Sequence, residues 1–470
     1  MKEKDALLGR WAEILARKGD SPAIFNPRGE LVLSFQQIDD RARALEAKIV
    51  HFPRGSVVAI QIGNHADWPS ILIACLRRGV AVLPLEQSIS DQQRDAALKA
   101  CNAAGVVTAA VSSGRDIQVL PMTSPSRTCI SAATTHWDKN VPALLKLTSG
   151  TTAAPRAIRF RSDQLLADCD QICDTKGISD ADLNFGVIPV SHSYGFSNLL
   201  TPLIAHGVAM VLSRDRTPRA VLDDLVRTNA TVFPGMPIFY QAFCEMEKVP
   251  ALPKLRLCVS AGAPLPLAVA RRFRERFGLL IHSFYGASEC GGICYDREAQ
   301  LEFEGFVGAP MNDVDLEIVD PNSESSQVRV HSAAAGDGYF PDAEEEKLGN
   351  GIFVPDDLLA CEGDSYKIVG RVSDLINVAG KKVNPAEVEQ ALLQFPGVRQ
   401  AVAFGRESVL RNEEVAACVV GDVDEKQLIE FCGRRLSAWQ VPKHIFVLNS
   451  IPANERGKTS RKELAKRFSI

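Results

Sequence analysis

A run of hydroxyl side chains follows a short apolar segment near residue 147. The stretch "LTSGTTAAPRAIRF" begins at Leu147 and holds the candidate ligands Thr148, Ser149, Gly150, Thr151 and Thr152. Hydroxyl groups donate hydrogen bonds to phosphate oxygens, and a glycine lets backbone N–H groups approach a bound anion closely. Arg156 adds a planar, permanently charged donor. The stretch therefore indicates an anion-binding loop, although similar clusters also form plain turns.

Other phosphate-binding or nucleophilic motifs in the sequence are incomplete. A Walker A loop needs a glycine five residues before Gly-Lys-Ser/Thr, and in "PANERGKTS" that position is Pro452. The stretch "GDGYFP" fails the dinucleotide-binding pattern at its last position, and "GASEC" lacks the final glycine of a nucleophile elbow. These three readings are rejected.

The elements around the loop alternate in a regular way. Apolar strand-like runs such as "SVVAIQI" and "LRLCVS" alternate with helical periodicity such as "LPLAVARRFRERFG". This alternation predicts βαβ units and mostly parallel sheets. We therefore predict an α/β fold: a large N-terminal domain of such sheets plus a small β segment over 1–372, a hinge at 373–376, and a small, mobile α+β C-terminal domain over 377–470.

Composition excludes several classes of protein. The 470 residues are 46% hydrophobic and 23% charged, which is typical of a soluble globular chain. A formal net charge of −4 gives no reason to expect a nucleic-acid partner. The charged N-terminal stretch does not resemble a signal peptide, and no apolar stretch is long enough to span a membrane. We expect a cytoplasmic protein.

The 12 cysteines do not suggest a metal site in the sequence. Two pairs, Cys169 with Cys173 and Cys290 with Cys294, are spaced four residues apart, but neither has a second pair or a histidine cluster beside it in the chain. Most other cysteines lie in apolar runs. We expect free, buried thiols in a reducing compartment.

Several further motifs occur in a fixed order with the hydroxyl loop. They are "PVSHSYG", "SAGAPL", "YGASE", "VPDDL", "GRVSDLINVAGKKVNPAEVE" and "NERGKTSRKEL". Together these motifs resemble the adenylate-forming superfamily of acyl- and aryl-CoA synthetases, peptide-synthetase adenylation domains and firefly luciferases. The resemblance runs from Ser21 to Arg461 and is closest in character to an acyl- or aryl-CoA synthetase.

The resemblance implies an acid–thiol ligase of the AMP-forming type. A carboxylate would attack the α-phosphate of ATP, release pyrophosphate and form an acyl-adenylate. Lys458 would stabilise the charge of the transition state, Ser288 would bind the α-phosphate, and Glu289 would hold Mg²⁺. The implied ATP and AMP ligands are Thr148, Ser149, Gly150, Thr151, Thr152, Arg156, Gly262, Ala263, Pro264, Tyr285, Gly286, Asp357 and Arg371.

Some of these roles have plain structural alternatives. Tyr285 would stack on adenine, or it is a core aromatic at a strand end. Asp357 and Arg371 would bind the ribose, or Arg371 forms a surface ion pair with Asp374. Lys458 without its motif would be one more surface lysine of a basic tail.

The resemblance also implies a second half-reaction at the same site. Asp374 would be the hinge about which the tail domain pivots. The pivot would exchange Lys458 for a loop around Gly380 and Lys381, which lines a thiol tunnel. The acceptor would be coenzyme A or, as an alternative, the phosphopantetheine arm of an acyl carrier protein. We expect a monomer or a homodimer.

The class of acid substrate is limited by the absence of an acidic residue from the segment expected to line its pocket. In amino-acid-activating relatives an aspartate follows the His-x-x-Gly segment, whereas "HSYGFSNLLTPL" has no acidic residue. A desolvated ammonium would lack a partner there. We expect a small-molecule aliphatic or aromatic carboxylic acid. His192 would line or gate its pocket, or be structural. The expected walls are Tyr194, Ser197, Met236, Ser283, Gly291, Gly292 and Ile293.

The loop departs from the family pattern at three positions. Ala153 and Ala157 replace glycines, and Arg156 replaces a lysine. A Cβ disfavours positive φ by about 1–2 kcal/mol per residue, if the loop needs such φ. We expect retained activity with altered ATP affinity. The alternative from another class is a degenerate nucleotide-binding regulatory protein, against which Lys458, Glu289 and Asp357 argue; no feature supports a luciferase-like oxygenase.

Overall fold

A computed structural model gives the arrangement of most of the chain. It describes residues 5–109, 117–121, 135, 137, 140–148, 155–299, 301, 303–341, 344, 346–408, 412–452 and 460–468. The chain divides into two compact units. The first contains residues 1–317, 329–355 and 363–366, and the second contains residues 318–328, 356–362 and 367–470. The predicted hinge at 373–376 and the mobility of the tail stay predictions.

The helices and strands up to residue 353 belong mainly to the first unit. The helices are α1 (Ala6–Lys18), α2 (Phe35–Lys48), α3 (Trp68–Arg78), α4 (Asp91–Ala100), α5 (Ser162–Lys176), α6 (Ser193–Gly195), α7 (Thr201–His206), α8 (Pro218–Thr228), α9 (Pro237–Glu245) and α10 (Leu267–Phe277). A π-helix, Phe196–Leu200, joins α6 to α7. The strands are β1 (Pro22–Phe25), β2 (Leu31–Ser34), β3 (Val57–Gln61), β4 (Ala81–Pro84), β5 (Ala103–Ala109), β6 (Ile117–Pro121), β7 (Leu144–Leu147), β8 (Ala157–Phe160), β9 (Leu183–Gly186), β10 (Ala209–Leu212), β11 (Val232–Gly235), β12 (Leu257–Ser260), β13 (Ile281–Ala287), β14 (Gly291–Tyr295), β15 (Phe306–Pro310), β16 (Val314–Ile318), β17 (Val328–Ser332), β18 (Tyr339–Phe340), β19 (Leu348–Gly349) and β20 (Ile352–Phe353).

The larger sheet of the first unit follows the order β2-β1-β10-β9-β11-β12-β13-β14-β15. Its central strands from β1 to β13 are parallel, and β14 and β15 extend it in antiparallel fashion. An aromatic cluster that includes Phe185, Phe233, Tyr240 and Phe273 fills the core between this sheet and the helices α8 to α10. Burial on both faces explains why these strands are continuous apolar runs in the sequence.

A second sheet follows the order β18-β8-β7-β4-β3-β5-β6. Strands β3, β4, β5 and β7 carry its parallel pairings, whereas β7 and β8 form an antiparallel pair on either side of the hydroxyl loop. The short strand β18 pairs with β8, so that residue 339 lies opposite residue 158. A long-range pairing thus brings residues 339–340 to the base of the loop.

The helix ends follow the local sequence. Helix α2 begins with a capping box in which the Ser34 side chain accepts the N–H of Gln37, and the Gln37 side chain accepts the N–H of Ser34. Helix α5 ends at Gly177, whose φ of 61° is a left-handed conformation that glycine adopts without a steric cost. The glycine fixes the end of α5, which carries several residues of the candidate site.

The second unit contains the remaining elements. They are β21 (Asp357–Glu362), β22 (Ser365–Arg371), which begins in the first unit, β23 (Ile376–Val378), β24 (Lys381–Val383), α11 (Pro385–Leu393), β25 (Val398–Ser408), β26 (Asn412–Gly421), α12 (Glu425–Gly433), β27 (His444–Leu448) and α13 (Arg461–Arg467). One sheet has the order β24-β23-β26-β25, and β27 pairs with β26. The predicted fold class, α/β with a large N-terminal sheet domain and a smaller C-terminal domain, is confirmed.

Candidate active site

Several of the predicted ligand and pocket residues lie at one edge of the larger sheet. Strands β9, β11, β12 and β13 are parallel neighbours, so their carboxyl ends meet at this edge. Ligands of α/β proteins bind in the crevice outside such ends. The predicted residues that follow or occupy these strands are His192, Tyr194 and Ser197 after β9, Met236 after β11, Gly262, Ala263 and Pro264 after β12, and Ser283, Tyr285 and Gly286 in β13.

Ser288 and Glu289 lie together in the turn between β13 and β14. The Ser193 hydroxyl donates a hydrogen bond to Ser288 Oγ over 2.9 Å. The Tyr339 hydroxyl donates to Glu289 Oε1 over 3.2 Å, and the N–H of Gly336 donates to the Glu289 carbonyl over 2.9 Å. The turn is therefore tied to the 336–339 segment, which precedes and enters β18.

The Glu289 carboxyl is poorly solvated. Burial raises its pKa above the ordinary value, and the hydrogen bond from Tyr339 and the charges of Lys347 and Lys146 only partly offset that effect. A cation beside a desolvated carboxylate restores the ionised form, and hard divalent cations prefer carboxylate oxygens. The environment of Glu289 therefore fits the Mg²⁺ ligand that the sequence predicts at this position.

The two ends of the hydroxyl loop are held together. The N–H and the hydroxyl of Thr148 donate to the Arg156 carbonyl over 2.9 and 3.3 Å. Leu147 pairs with Ala157 where β7 and β8 meet. Ala157 lies in extended strand, so its Cβ causes no strain there. The loop residues Ser149, Gly150, Thr151, Thr152 and Ala153 lie outside the described residues, as does Lys458.

Arg156 connects the loop to the Glu289 turn. Its guanidinium lies over the Tyr339 ring, 4.3 Å from the ring centroid, and Nη1 forms an ion pair with Glu344 over 2.7 Å. Its Nε and Nη2 atoms are buried and have no hydrogen-bond partner within the described part of the chain. Buried donors normally find an acceptor, and a guanidinium matches the geometry of a phosphate. Arg156 is thus equipped to receive an anionic group.

The predicted acid-pocket residues surround the start of the π-helix and the β13–β14 hairpin. The Tyr194 ring lies 5.9 Å from the ring of Phe284, while Ser197 and Ile293 are buried. A π-helical turn inside a helix frequently marks a functional site. His192 is exposed, and its Nδ1 accepts the N–H of Tyr194 over 3.3 Å, which caps the short helix α6.

Close packing explains the glycines of this hairpin. Gly291 has a φ of 72°, and a Cβ there would lie 1.9 Å from Asp168 Oδ1. The same oxygen accepts the N–H of Gly292 over 3.1 Å. Any side chain at position 291 would displace the Asp168 carboxylate from this hydrogen bond. The lack of a side chain at Gly291 therefore allows the pocket wall to keep this arrangement.

Two buried lysines near this pocket were missed from the sequence. Lys176 Nζ donates to Asn198 Oδ1 over 2.8 Å and lies 3.4 Å from the centroid of the Phe284 ring. Burial lowers the pKa of Lys176 to about 7, although the Asp168 charge raises it. Lys146, also buried, lies over the Phe160 ring at 4.7 Å. A lysine at a helix end ordinarily reaches solvent, so no local signal identifies Lys176.

The two predicted ribose ligands contact each other in the second unit. Arg371 Nε donates to Asp357 Oδ1 over 2.7 Å, and Asp357 is buried. The sequence offered an ion pair of Arg371 with Asp374 as the alternative, and the pair that the structure shows is with Asp357. Asp374 Oδ2 instead pairs with Arg461 Nη1 over 2.6 Å. The Arg371 contact keeps the Asp357 carboxylate oriented.

Arg461 organises the start of the last helix. Besides Asp374, its guanidinium contacts both carboxylate oxygens of Glu389 over 2.9 and 3.2 Å and donates to the Ala403 carbonyl over 3.0 Å. Planar, bidentate recognition of this kind holds a side chain in one geometry. Arg461 thereby fixes the chain directly after the segment that carries Lys458.

Of the predicted thiol-tunnel residues, Gly380 lies in the turn between β23 and β24, and Lys381 begins β24. Gly380 has a φ of 88°, and its N–H donates to Asn377 Oδ1 over 3.1 Å. The Lys381 ammonium lies 3.5 Å from the centroid of the Trp439 ring. The tunnel candidates therefore meet the basic segment "CGRRLSAWQVPKH" within the second unit.

Comparison with known protein families identifies the family to which this chain belongs. The model of AMP-binding enzymes matches residues 11–337, which is well over half of the chain. The chain belongs to the AMP-binding enzyme family. The model of the AMP-binding enzyme C-terminal domain matches residues 387–458. The resemblance to adenylate-forming enzymes is confirmed.

Individual relatives of this AMP-binding enzyme match along most of their length. A feruloyl-CoA synthase from an Amycolatopsis species is 26% identical over 98% of this chain and 99% of its own. A 3,4-dihydroxybenzoate–aryl-carrier protein ligase from Bacillus anthracis is 26% identical over 69% and 73%. ATP-bound MatB from Rhodopseudomonas palustris superposes with a TM-score of 0.82 at 21% identity over 98% of both chains, which shows a shared fold.

The helices of this AMP-binding enzyme carry no membrane-spanning signal. Within the described residues, none combines the length and the apolar character that crossing a bilayer requires.

Proposed function

We propose that this AMP-binding enzyme activates a carboxylic acid with ATP and then transfers the acyl group to coenzyme A. The observation that carries the proposal is the contact chain from Arg156 through Tyr339 to Glu289. This chain joins the end of the hydroxyl loop to the adenylate motif, two segments that are distant in sequence. A site for triphosphate requires both segments to face one ligand.

The first half-reaction brings two anions together. A carboxylate oxygen of the acid attacks the α-phosphorus of ATP, and the bond from that phosphorus to pyrophosphate breaks. The Nε and Nη2 donors of Arg156, for which no described residue supplies an acceptor, and the hydroxyl of Ser288 would bind phosphate oxygens. Glu289 would hold Mg²⁺, which neutralises phosphate charge when bound. Lys458 would stabilise the in-line transition state as a point charge.

The second half-reaction consumes the adenylate. The thiol sulfur attacks the acyl carbon, the bond to AMP breaks, and the thiol proton leaves to solvent. We propose that the second unit pivots at Asp374 for this step and presents Gly380 and Lys381 to the thiol. The ion pair of Asp374 with Arg461 supports this role, because it couples the proposed hinge to the chain beside Lys458.

The proposed acid is aliphatic or aromatic. The side chains of Tyr194, Phe284 and Ile293 make this part of the chain apolar and aromatic, and the segment after His192 has no carboxylate that could pair with a substrate ammonium. Aromatic rings stack in offset or edge-to-face arrangements, which suits a benzoate- or cinnamate-like acid. The feruloyl-CoA synthase relative is in keeping with such an acid.

Acid-dependent exchange of radiolabelled pyrophosphate into ATP tests the proposal. A panel of fatty, benzoic, cinnamic and amino acids should give exchange with at least one aliphatic or aromatic acid and none with amino acids. Lys458→Ala should abolish exchange while leaving ATP binding intact. Lys462→Ala, which removes a nearby exposed lysine, is the matched control and should exchange normally. ATP binding without exchange for any acid would instead favour the degenerate regulatory protein.

A carrier protein is the second candidate acceptor. The Bacillus anthracis relative is named for transfer to an aryl-carrier protein, and the segment "CGRRLSAWQVPKH", whose Trp439 contacts Lys381, contributes basic residues that would suit an acidic partner. Coenzyme A and a phosphopantetheinylated carrier protein should be supplied separately to enzyme that has formed its adenylate. Faster release of AMP with coenzyme A supports the first acceptor, and faster release with the carrier supports the second.

A further inference from the structure

Three soft or borderline metal-ligating side chains meet between α5 and α7, and none of them is among the predicted adenylation residues. Cys169 and Cys173 lie one turn apart on α5, so both face the same side of the helix. His206 is the last residue of α7. One ligand atom from each of the three residues lies within 4.8 Å of the others, and both cysteines are fully buried.

The surroundings of His206 orient its ring. Asp170 Oδ1 lies 2.7 Å from His206 Nε2, and Asp170 Oδ2 accepts from Arg10 over 3.0 Å. With Nε2 donating to this carboxylate, Nδ1 keeps its lone pair for a metal ion. Metal-binding histidines characteristically donate their other ring N–H to a carboxylate in this way.

We propose that Cys169, Cys173 and His206 bind one Zn²⁺ ion. Two thiolates and an imidazole form a donor set that zinc prefers, and zinc sites with three protein ligands keep the fourth position for water. Each thiol releases its proton to solvent on binding. A surface pocket of about 250 Å³ borders His206; its lining residues are Arg10, Glu13, Ile14, Arg17, Ala205 and His206.

The consequence would be a clamp on α5. The neighbouring residue Asp168 accepts the N–H of Gly292 in the acid-pocket wall, and Lys176 on the same helix contacts Phe284. An ion that joins α5 to α7 would hold these side chains in place. This clamp is independent of which acid or thiol the enzyme uses.

Cobalt substitution tests the site directly. Chelator-treated, fully reduced protein is titrated with Co²⁺, whose thiolate charge-transfer band reports sulfur ligation, and then with Zn²⁺ as competitor. We expect saturation at one ion per chain, displacement by Zn²⁺, and a higher Tm with Zn²⁺. Cys169→Ala and Cys173→Ala should lose the band. Cys75→Ala, which truncates a buried helical cysteine elsewhere, is the matched control and should keep it.

The histidine and its carboxylate give a second set of variants. His206→Gln should weaken Co²⁺ binding, and Asp170→Asn should weaken it about 10- to 100-fold. These side chains are partly exposed, so the variants remain informative if the cysteine variants do not fold. The proposal is overturned if wild-type protein shows no charge-transfer band, if the band survives in Cys173→Ala, or if His206→Gln binds Co²⁺ as tightly as wild type.

Discussion

Replacing Tyr339 by phenylalanine isolates the contact that joins Glu289 to the loop. The change removes the hydroxyl that donates to Glu289 over 3.2 Å and keeps the ring beneath Arg156. A hydrogen bond to a charged group contributes about 1.5–3 kcal/mol, and the long distance favours the lower value. A loss of about 1.5 kcal/mol corresponds to about a tenfold effect on a binding constant.

The loss of this hydrogen bond should change how pyrophosphate exchange depends on the Mg²⁺ concentration and on pH. We expect the Mg²⁺ concentration for half-maximal pyrophosphate exchange to rise about tenfold in Tyr339→Phe. The Tyr339 hydrogen bond lowers the Glu289 pKa, so its removal raises that pKa further. Exchange requires the ionised carboxylate. As the pH falls, Tyr339→Phe should therefore lose exchange at a higher pH than wild type does.

A matched control separates this effect from the general cost of losing a buried hydroxyl. Tyr240→Phe removes a hydroxyl that donates to the Val259 carbonyl over 2.9 Å in the aromatic core. It should lower stability without changing the Mg²⁺ dependence. Equal Mg²⁺ dependence and an equal acid limb in Tyr339→Phe and wild type would refute the assignment of Glu289.

Three further changes test the packing of the site. Gly291→Ala should destabilise the protein by more than the about 1–2 kcal/mol that a positive φ costs, because its Cβ meets a carboxylate. Gly363→Ala, also at positive φ but with open space around it, should show only the backbone cost in urea unfolding. Lys176→Met should flatten the pH dependence of stability. Above a pKa of about 7 the wild-type lysine is neutral in the folded protein but charged in the unfolded chain, so the free energy of unfolding rises by about 1.4 kcal/mol per pH unit between about 7 and 10.5. An unchanged slope in the variant would contradict the burial of Lys176. Arg461→Ala should cost about 2 kcal/mol by leaving two carboxylates unpaired, whereas Arg434→Ala on the exposed surface should change little in the same urea assay.

Local sequence patterns predicted the elements that form the scaffold. The run "LRLCVS" became β12 and "LPLAVARRFRERFG" became α10, because burial of a strand and amphipathicity of a helix leave direct marks in the sequence. Parallel strands also place their ends at one edge. The assignment of residues as distant as Ser197 and Tyr285 to one site came from the family motifs, because no local pattern links them.

Contacts between segments that are distant in the chain could not be predicted from local sequence patterns. Tyr339 lies in the acidic stretch "YFPDAEEEKLGNG", which indicates a surface turn, yet it forms β18 and contacts Glu289. Cys169 and Cys173 gain His206 only because α5 packs beside α7. A pattern of residue types describes one element at a time, whereas these partners are chosen by how the elements pack.

The identity of the nucleotide product tests the central claim most directly. Enzyme in excess over ATP is mixed with an accepted acid in the absence of any thiol, and the bound products are identified by mass spectrometry. Activation by adenylation predicts stoichiometric acyl-AMP and pyrophosphate, with none formed by Lys458→Ala. Formation of ADP and phosphate, or of no acyl nucleotide at all, would contradict the account.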